Sequence, residues 1–309
     1  MSNHTSQAVT PAVPLATGET APLPPDPYQA PSVTLDWSAM DIERRWGFAA
    51  GRFTSPNKAL SFMVALLITT LFFTALVVGV QRFPQGEWLT AIFIERGPCP
   101  YPTMFLFFWS LVMLFFKSRK IALQRRAFDL PLMPHQPDFE LNQTTARSLQ
   151  DRLRRMVDNP HHFILLNRID LALTNLHNIG RTADVATILK IQAENDEAQV
   201  ASSYGLVQGF LWAIPVLGFI GTVLGLGQAI SAFAGALQAG GDMTAIRMSL
   251  QGVTGGLSTA FDTTLVALVC ALILQLLVSV LQAAESEFLV TCNDVCHKHV
   301  AGRLRLSAV

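Results

Sequence analysis

Forty-four consecutive residues, Ala198 to Gly241, carry no charged side chain. A bilayer core about 30 Å thick needs only about 20 helical residues. The run is therefore read as one long helix that starts near Ser202 outside the apolar layer and crosses it until about Leu237. Three further runs have the same character. Ala59 to Val80 is uncharged, Gly97 to Phe116 is uncharged behind a proline-rich start, and Met248 to Ala284 holds one charge, Asp262. The second of these is expected to become helical near Pro102. Charged residues make up 14% of the 309-residue chain, against about 25% in an average soluble domain. Lys plus Arg equals Asp plus Glu, 22 each, so no large basic excess marks a nucleic-acid binder. Apolar residues gathered in blocks of this length imply an all-α membrane protein with four transmembrane helices, not a soluble enzyme or a disordered chain.

The basic residues orient these spans. Four precede Ala59, twelve lie between Lys117 and Tyr204, and three follow the last span. Only two lie in the loop from Gln81 to Pro102, and one, Arg247, lies between the last two spans. The positive-inside rule then places both termini and the central stretch in the cytoplasm of a multi-pass inner-membrane protein. The domain order follows. Residues 1–36 hold seven prolines and no lysine or arginine, and are expected to form a disordered tail with no secretory leader. Residues 37–58 are a surface helix or a plain linker, and 59–116 form a transmembrane hairpin. Residues 117–203 form a helical cytoplasmic domain between spans 2 and 3. Residues 204–284 carry spans 3 and 4, and 285–309 form a cytoplasmic C-terminal helix or tail.

The central stretch shows no catalytic signature. RSLQDRLRRMVDN and TADVATILKIQAENDEAQVASS are good helix formers, with loop signals between them at Asn159-Pro160 and Gly180. GTVLGLG has the look of a phosphate loop, but it lies in an apolar span and lacks a lysine. No enzymatic activity and no bound cofactor are expected.

The third and fourth spans carry more information. AIPVLGFIGTVLGLGQAISAF places Gly221 and Gly225 in a GxxxG step that Ala229 continues, with Gly218 one turn earlier. Small residues at this spacing let helices approach closely. In GVTGGLSTAFDTTLVALVCALILQ, the residues Ala260, Thr264, Ala267, Ala271 and Gln275 recur on one face. Phe261, Leu265 and Leu272 lie opposite. A small, hydroxylated stripe belongs against protein or water rather than lipid.

These two segments, IPVLGFIGTVLGLGQAISAF and then GVTGGLSTAFDTTLVAL, resemble the MotA/TolQ/ExbB proton channel family over roughly residues 200–290. Four spans with an inside N-terminus are MotA-like, whereas the span sequences are closer to TolQ and ExbB. The resemblance implies a homopentamer around an ExbD/TolR/MotB-like single-span protein with an intramembrane aspartate. Protons, or sodium ions, would pass that aspartate and drive work through an energy-transducing, rotary stator-like complex. It also places the pore threonines at Thr222 and Thr264 and the proline of the pore span at Pro215, with Ala260 and Ala267 on the same pathway. Threonines suit such a carrier, because a hydroxyl accepts from a protonated carboxyl and donates to an ionised one. Two other classes stay open: a non-conducting membrane scaffold, and a self-sufficient channel that uses Asp262.

Asp262 lies two residues before Thr264, about 200° around the helix, so it cannot share the pore stripe. Its face holds Ser258 and Thr259. It is either a structural carboxylate, bonded by those hydroxyls or paired with Arg247, or an auxiliary ion-pathway group. In the tail, Cys292, Cys296 and His299 share a helical face, but no separated second ligand pair accompanies them. No metal site is expected there, and that face is read as packing on a neighbouring subunit.

Overall fold

The computed structural model describes residues 35–45, 47, 48, 51, 53–82, 87–130, 143–179, 182–238 and 243–300. The proline-rich tail lies outside them, apart from its last two residues. Among the described residues the chain is helical, and its one extended pairing is an isolated bridge between Leu35 and Val157. In chain order the helices are α1 (Trp37–Met40), α2 (Ile42–Arg45), α3 (Lys58–Arg82), α4 (Glu87–Thr90), α5 (Pro100–Arg125), α6 (Gln143–Met156), α7 (Ile164–Ile179), α8 (Thr182–Ser203), α9 (Gly205–Gln238) and α10 (Met243–His299).

Three helical runs are long and apolar enough to cross a membrane: Lys58–Gly79, Val185–Leu237 and Met243–Lys298. A fourth crossing requires α4, the π-turn Ala91–Glu95 and α5 to act together, across a 97° bend. The bend falls at Gly97, whose φ of +85° belongs to the left-handed region that favours glycine. Pro98 follows, and Pro100 and Pro102 take the first turn of α5, where a missing N–H costs nothing. The helix thus begins at Pro100, two residues before the expected start.

α3 and α5 pair as a hairpin through aromatic contacts. Phe62 meets Phe105 and Trp109 edge-on, and the Trp109 indole N–H donates to Ser61 Oγ at 3.2 Å. α5 then packs on the last two spans, with Trp109 against Phe210 at 4.7 Å between ring centroids. α8 and α9 run on almost without interruption past Tyr204. α10 has 57 residues, or about 85 Å of helix. That is far more than a bilayer takes, so the fourth span and the tail helix are one rod.

The membrane-distal part of that rod closes the helical domain. α6 buries Ala146, Leu149, Leu153 and Met156, the spacing of one helix face, while Arg147, Arg154 and Arg155 stay outside. α7 buries Ile169, Leu173 and Leu176. Cys292 and Cys296 of α10 lie in the same core cluster. They are thus buried in their own chain and not against a neighbouring subunit. The His299 side chain lies outside the described residues. No group of three potential metal ligands occurs among the described residues.

The segment before α3 differs from both expectations for it. It is neither a continuous surface helix nor a plain linker. Trp37 is fully buried, stacked on His162 at 5.2 Å and edge-on to Phe163. Burial first, and the charge of Arg44 after it, lower the His162 pKa, so the stacked ring is neutral near pH 7. Leu35, Trp37, Asp41 and Glu43 are therefore buried against the rest of the chain, while Met40, Arg44 and Arg45 stay exposed.

Buried charges lock these layers where α5 ends. Lys117 Nζ lies 3.0 Å from Glu285 Oε2 and donates to Ser203 Oγ at 2.7 Å and Thr54 Oγ1 at 3.2 Å. Tyr204 Oη donates to the same carboxylate at 2.7 Å. This knot joins α5, the α8–α9 junction, α10 and the N-terminal segment. Lys120 likewise meets Glu43 at 2.6 Å, and Arg168 meets Asp196 at 2.7 Å. Gln124 bonds the His162 carbonyl and the Ile164 N–H, fixing the start of α7 to the end of α5. Removing one member of a buried pair strands the other, at about 3–5 kcal/mol. Glu285→Ala should therefore lower the thermal stability of the detergent-solubilised protein sharply. The double variant Lys117→Met/Glu285→Leu should recover much of that loss. Equal losses in both would contradict this account of the knot.

Candidate functional site

The expected glycines of α9 lie directly on α10, and the two helices run antiparallel. A Cβ added at Gly218 would stand 2.7 Å from Ala267 Cβ. One at Gly221 would strike the Thr263 side chain, and one at Gly225 would stand 2.5 Å from the Gly256 carbonyl and 2.6 Å from Ala260 N. On the α10 side, a Cβ at Gly256 would stand 2.6 Å from Ala229 N, and one at Gly252 2.8 Å from Ala232 Cβ. None of these approaches leaves room for a side chain. The seam therefore runs over about four turns, with backbone against backbone at Gly225 and Gly256 and small side chains elsewhere, and its attraction is van der Waals contact.

Residues placed slightly off the seam in the same rotational sense emerge on the same edge of an antiparallel pair. Thr222 and Thr264 do so. Thr264 Oγ1 donates to the Ala260 carbonyl at 3.0 Å and reaches across to the Gly218 carbonyl at 3.2 Å. Thr222 Oγ1 donates to the Phe219 carbonyl at 2.7 Å. With its proton committed to backbone, each hydroxyl offers only lone pairs, which suit a protonated carboxyl. Rotation about χ1 frees the proton for a carboxylate. Pro215 lies one turn before Gly218 and has no N–H for the Leu211 carbonyl, which leaves a local weakness in the helix ladder.

The expected α10 stripe is brought to this seam only in part. Ala260 and Ala267 are buried in it, Thr264 and Ala271 are half-buried at its edge, and Gln275 is exposed. Thr263, not Thr264, faces Gly221, and Thr259 is buried beside it. Gly252, Gly256 and Thr263 were missed by the sequence reading. The every-fourth-residue rule applied to α9, carried onto GVTGG, would have found the two glycines.

Asp262 lies on the other edge. Ser258 Oγ donates to its Oδ2 at 3.3 Å, which matches one of the expected partners. Its cation is not Arg247. Arg96 Nε lies 2.8 Å from Asp262 Oδ2, in an ion pair whose N–H is not directed at the oxygen. The bend before α5 carries Arg96 back over α10, whereas Arg247 is exposed near the start of α10, about four turns from Asp262. Thr259 bonds its own helix, at the Gly255 carbonyl.

Residues 145–292 match the family model of the MotA/TolQ/ExbB proton channel family. Over that region, just under half of the chain, the sequence is similar to this family. The match takes in α6 to α9 and most of α10, so it includes the helical domain as well as the threonine edge. The match points to a subunit of a proton-conducting membrane complex, and with the long apolar helices it supports a multi-pass membrane protein. Comparison with curated proteins and with solved structures found no match.

The seam gives a direct contrast. Gly225→Val inserts a branched side chain where 2.5 Å is available, and overpacking of this kind costs about 1–3 kcal/mol or more. Gly227, on the same helix with open space around its Cβ position, should accept Val or Ala with little change. Thermal melting in detergent should separate the two glycines clearly. Equal tolerance at both would show that the close seam does not form.

Proposed function

We propose that this chain is the ion-channel subunit of an inner-membrane complex that turns the proton motive force into mechanical work. The observation that carries this is the chemistry of the threonine edge. Thr222 and Thr264 present hydroxyls along one side of a small-residue seam, and no carboxylate shares that edge among the described residues. Hydroxyls stabilise a proton carrier in both of its states, but they are not carriers at neutral pH. The carboxylate must therefore come from a second protein, a single-span partner with an intramembrane aspartate. A self-contained channel through Asp262 is less well supported, because that residue has its own arginine counter-ion on the opposite edge.

The large apolar side chains of α9 and α10 support assembly. Phe219, Val223, Ile230, Phe261, Leu265 and Leu272 are all exposed in the single chain and need lipid or further copies against them. We read the complex as a homopentamer around the partner. It has four spans per subunit, both termini and the helical domain in the cytoplasm, and protons as the transported ion, with sodium as the alternative. The threonines contact the carrier, and Ala260, Ala267 and Pro215 keep the path narrow and adaptable.

The test is capture of the tagged protein in mild detergent, with stoichiometry read by native mass spectrometry. Five copies bound to two copies of a small single-span protein is the expected result. A homo-oligomer without any partner would overturn the channel-subunit reading and favour a membrane scaffold.

A further inference from the structure

A cavity of about 300 Å³ lies between the N-terminal segment and the end of α5. Its wall includes Asp41, Arg45, Phe116, Arg119, Leu123 and Arg126. Phe116 is the last residue of the uncharged run of span 2, and Lys58 opens α3 close by in the hairpin. The cavity therefore lies where two spans leave the apolar layer on one side. Headgroups occupy that depth of a bilayer.

The charges in the wall are not all committed. Lys120 is held by Glu43 and by the Ser55 carbonyl. Arg45 and Arg119 have no carboxylate partner among the described residues, and Arg126 has only a long contact to Met40 sulfur at 3.9 Å. All three arginines are exposed, and they stand on a wall that also carries apolar side chains. Such a site suits a phosphate, because a guanidinium offers a fork of donors.

Asp41 is the opposite case. It is only 2% exposed, and its Oδ1 accepts from the Glu43 N–H at 3.2 Å. Its Oδ2 is buried with no donor. Burial, as the largest cause, raises its pKa above 3.8. A buried acceptor without a donor is costly, and a cationic donor relieves that cost most. One wall thus holds uncommitted cations at its rim and a buried acceptor that lacks a donor.

We propose that this cavity binds a phosphate ester bearing a primary ammonium, supplied as the headgroup of an aminophospholipid in the surrounding leaflet. Arg45, Arg119 and Arg126 take the phosphate, and Asp41 Oδ2 accepts from the ammonium. Phe116 and Leu123 border the acyl chains. The site pins the N-terminal segment to the membrane side of the fold and makes its docking depend on lipid.

The test uses the full-length protein, stripped of lipid in detergent and read by native mass spectrometry. Phosphatidylethanolamine, phosphatidylcholine and phosphatidylglycerol are added at equal concentration. One phosphatidylethanolamine per chain should be retained at least fivefold over each of the others. Phosphatidylcholine has the phosphate but no N–H, and phosphatidylglycerol has the phosphate but no cation. Arg119→Gln/Arg126→Gln changes exposed residues only and should lower retention of all three lipids, because each carries the phosphate. Asp41→Asn should bring phosphatidylethanolamine down to the level of phosphatidylcholine. Equal retention of the three lipids by the wild type, or unchanged retention in the double arginine variant, would overturn the proposal. Soluble phosphoethanolamine is the remaining arm. Displacement of the lipid at equal concentration would assign the cavity to a soluble ligand and overturn the lipid source.

Discussion

The α9–α10 seam is the constraint on which the rest of the spanning region depends. Two long helices approach until backbone meets backbone, and only glycine, alanine and threonine fit between them. In a bilayer no hydrophobic effect drives helices together, because lipid tails are as apolar as leucine. Close van der Waals contact must supply the attraction, and it needs small residues on both sides. The same choice sets the chemistry. A seam too narrow for large side chains places Thr222 and Thr264 along its edge, with their hydroxyls against backbone carbonyls.

Outside the seam, order comes from a different source. Lys117–Glu285, Lys120–Glu43 and Arg168–Asp196 are buried pairs that join elements far apart in sequence. Buried pairs contribute little net stability compared with apolar packing, but they penalise any arrangement that separates them. Here they fix the register between the spans, the helical domain and the N-terminal segment. The seam is thus held in position by these pairs as well as by its own close packing.

Much of this was legible in the sequence, because helix periodicity and charge-free length are local properties. The four apolar runs, the long third helix and the glycines at 218, 221 and 225 follow from spacing alone. Pairings between distant segments do not. Sequence reasoning pairs Asp262 with Arg247, and the 97° bend at Gly97 brings Arg96 there instead. Trp37 with an arginine pair nearby looks like a surface helix. Its stacking on His162 depends on a domain more than a hundred residues away. Thr263 and Thr264 differ by about 100° around one helix, and the choice of which faces the seam rests on the rotation of a rod that packs along its whole length.

The central claim is that the threonine edge handles protons through its hydroxyls, and it reduces to one comparison. Proton flux would be measured in liposomes that contain this subunit with its captured partner, for wild type, Thr264→Ser and Thr264→Val. Valine keeps the shape and removes the hydroxyl, and serine keeps the hydroxyl. The account predicts near-normal flux with serine and a loss of at least tenfold with valine, with the assembly intact in both. Full flux with valine would contradict it.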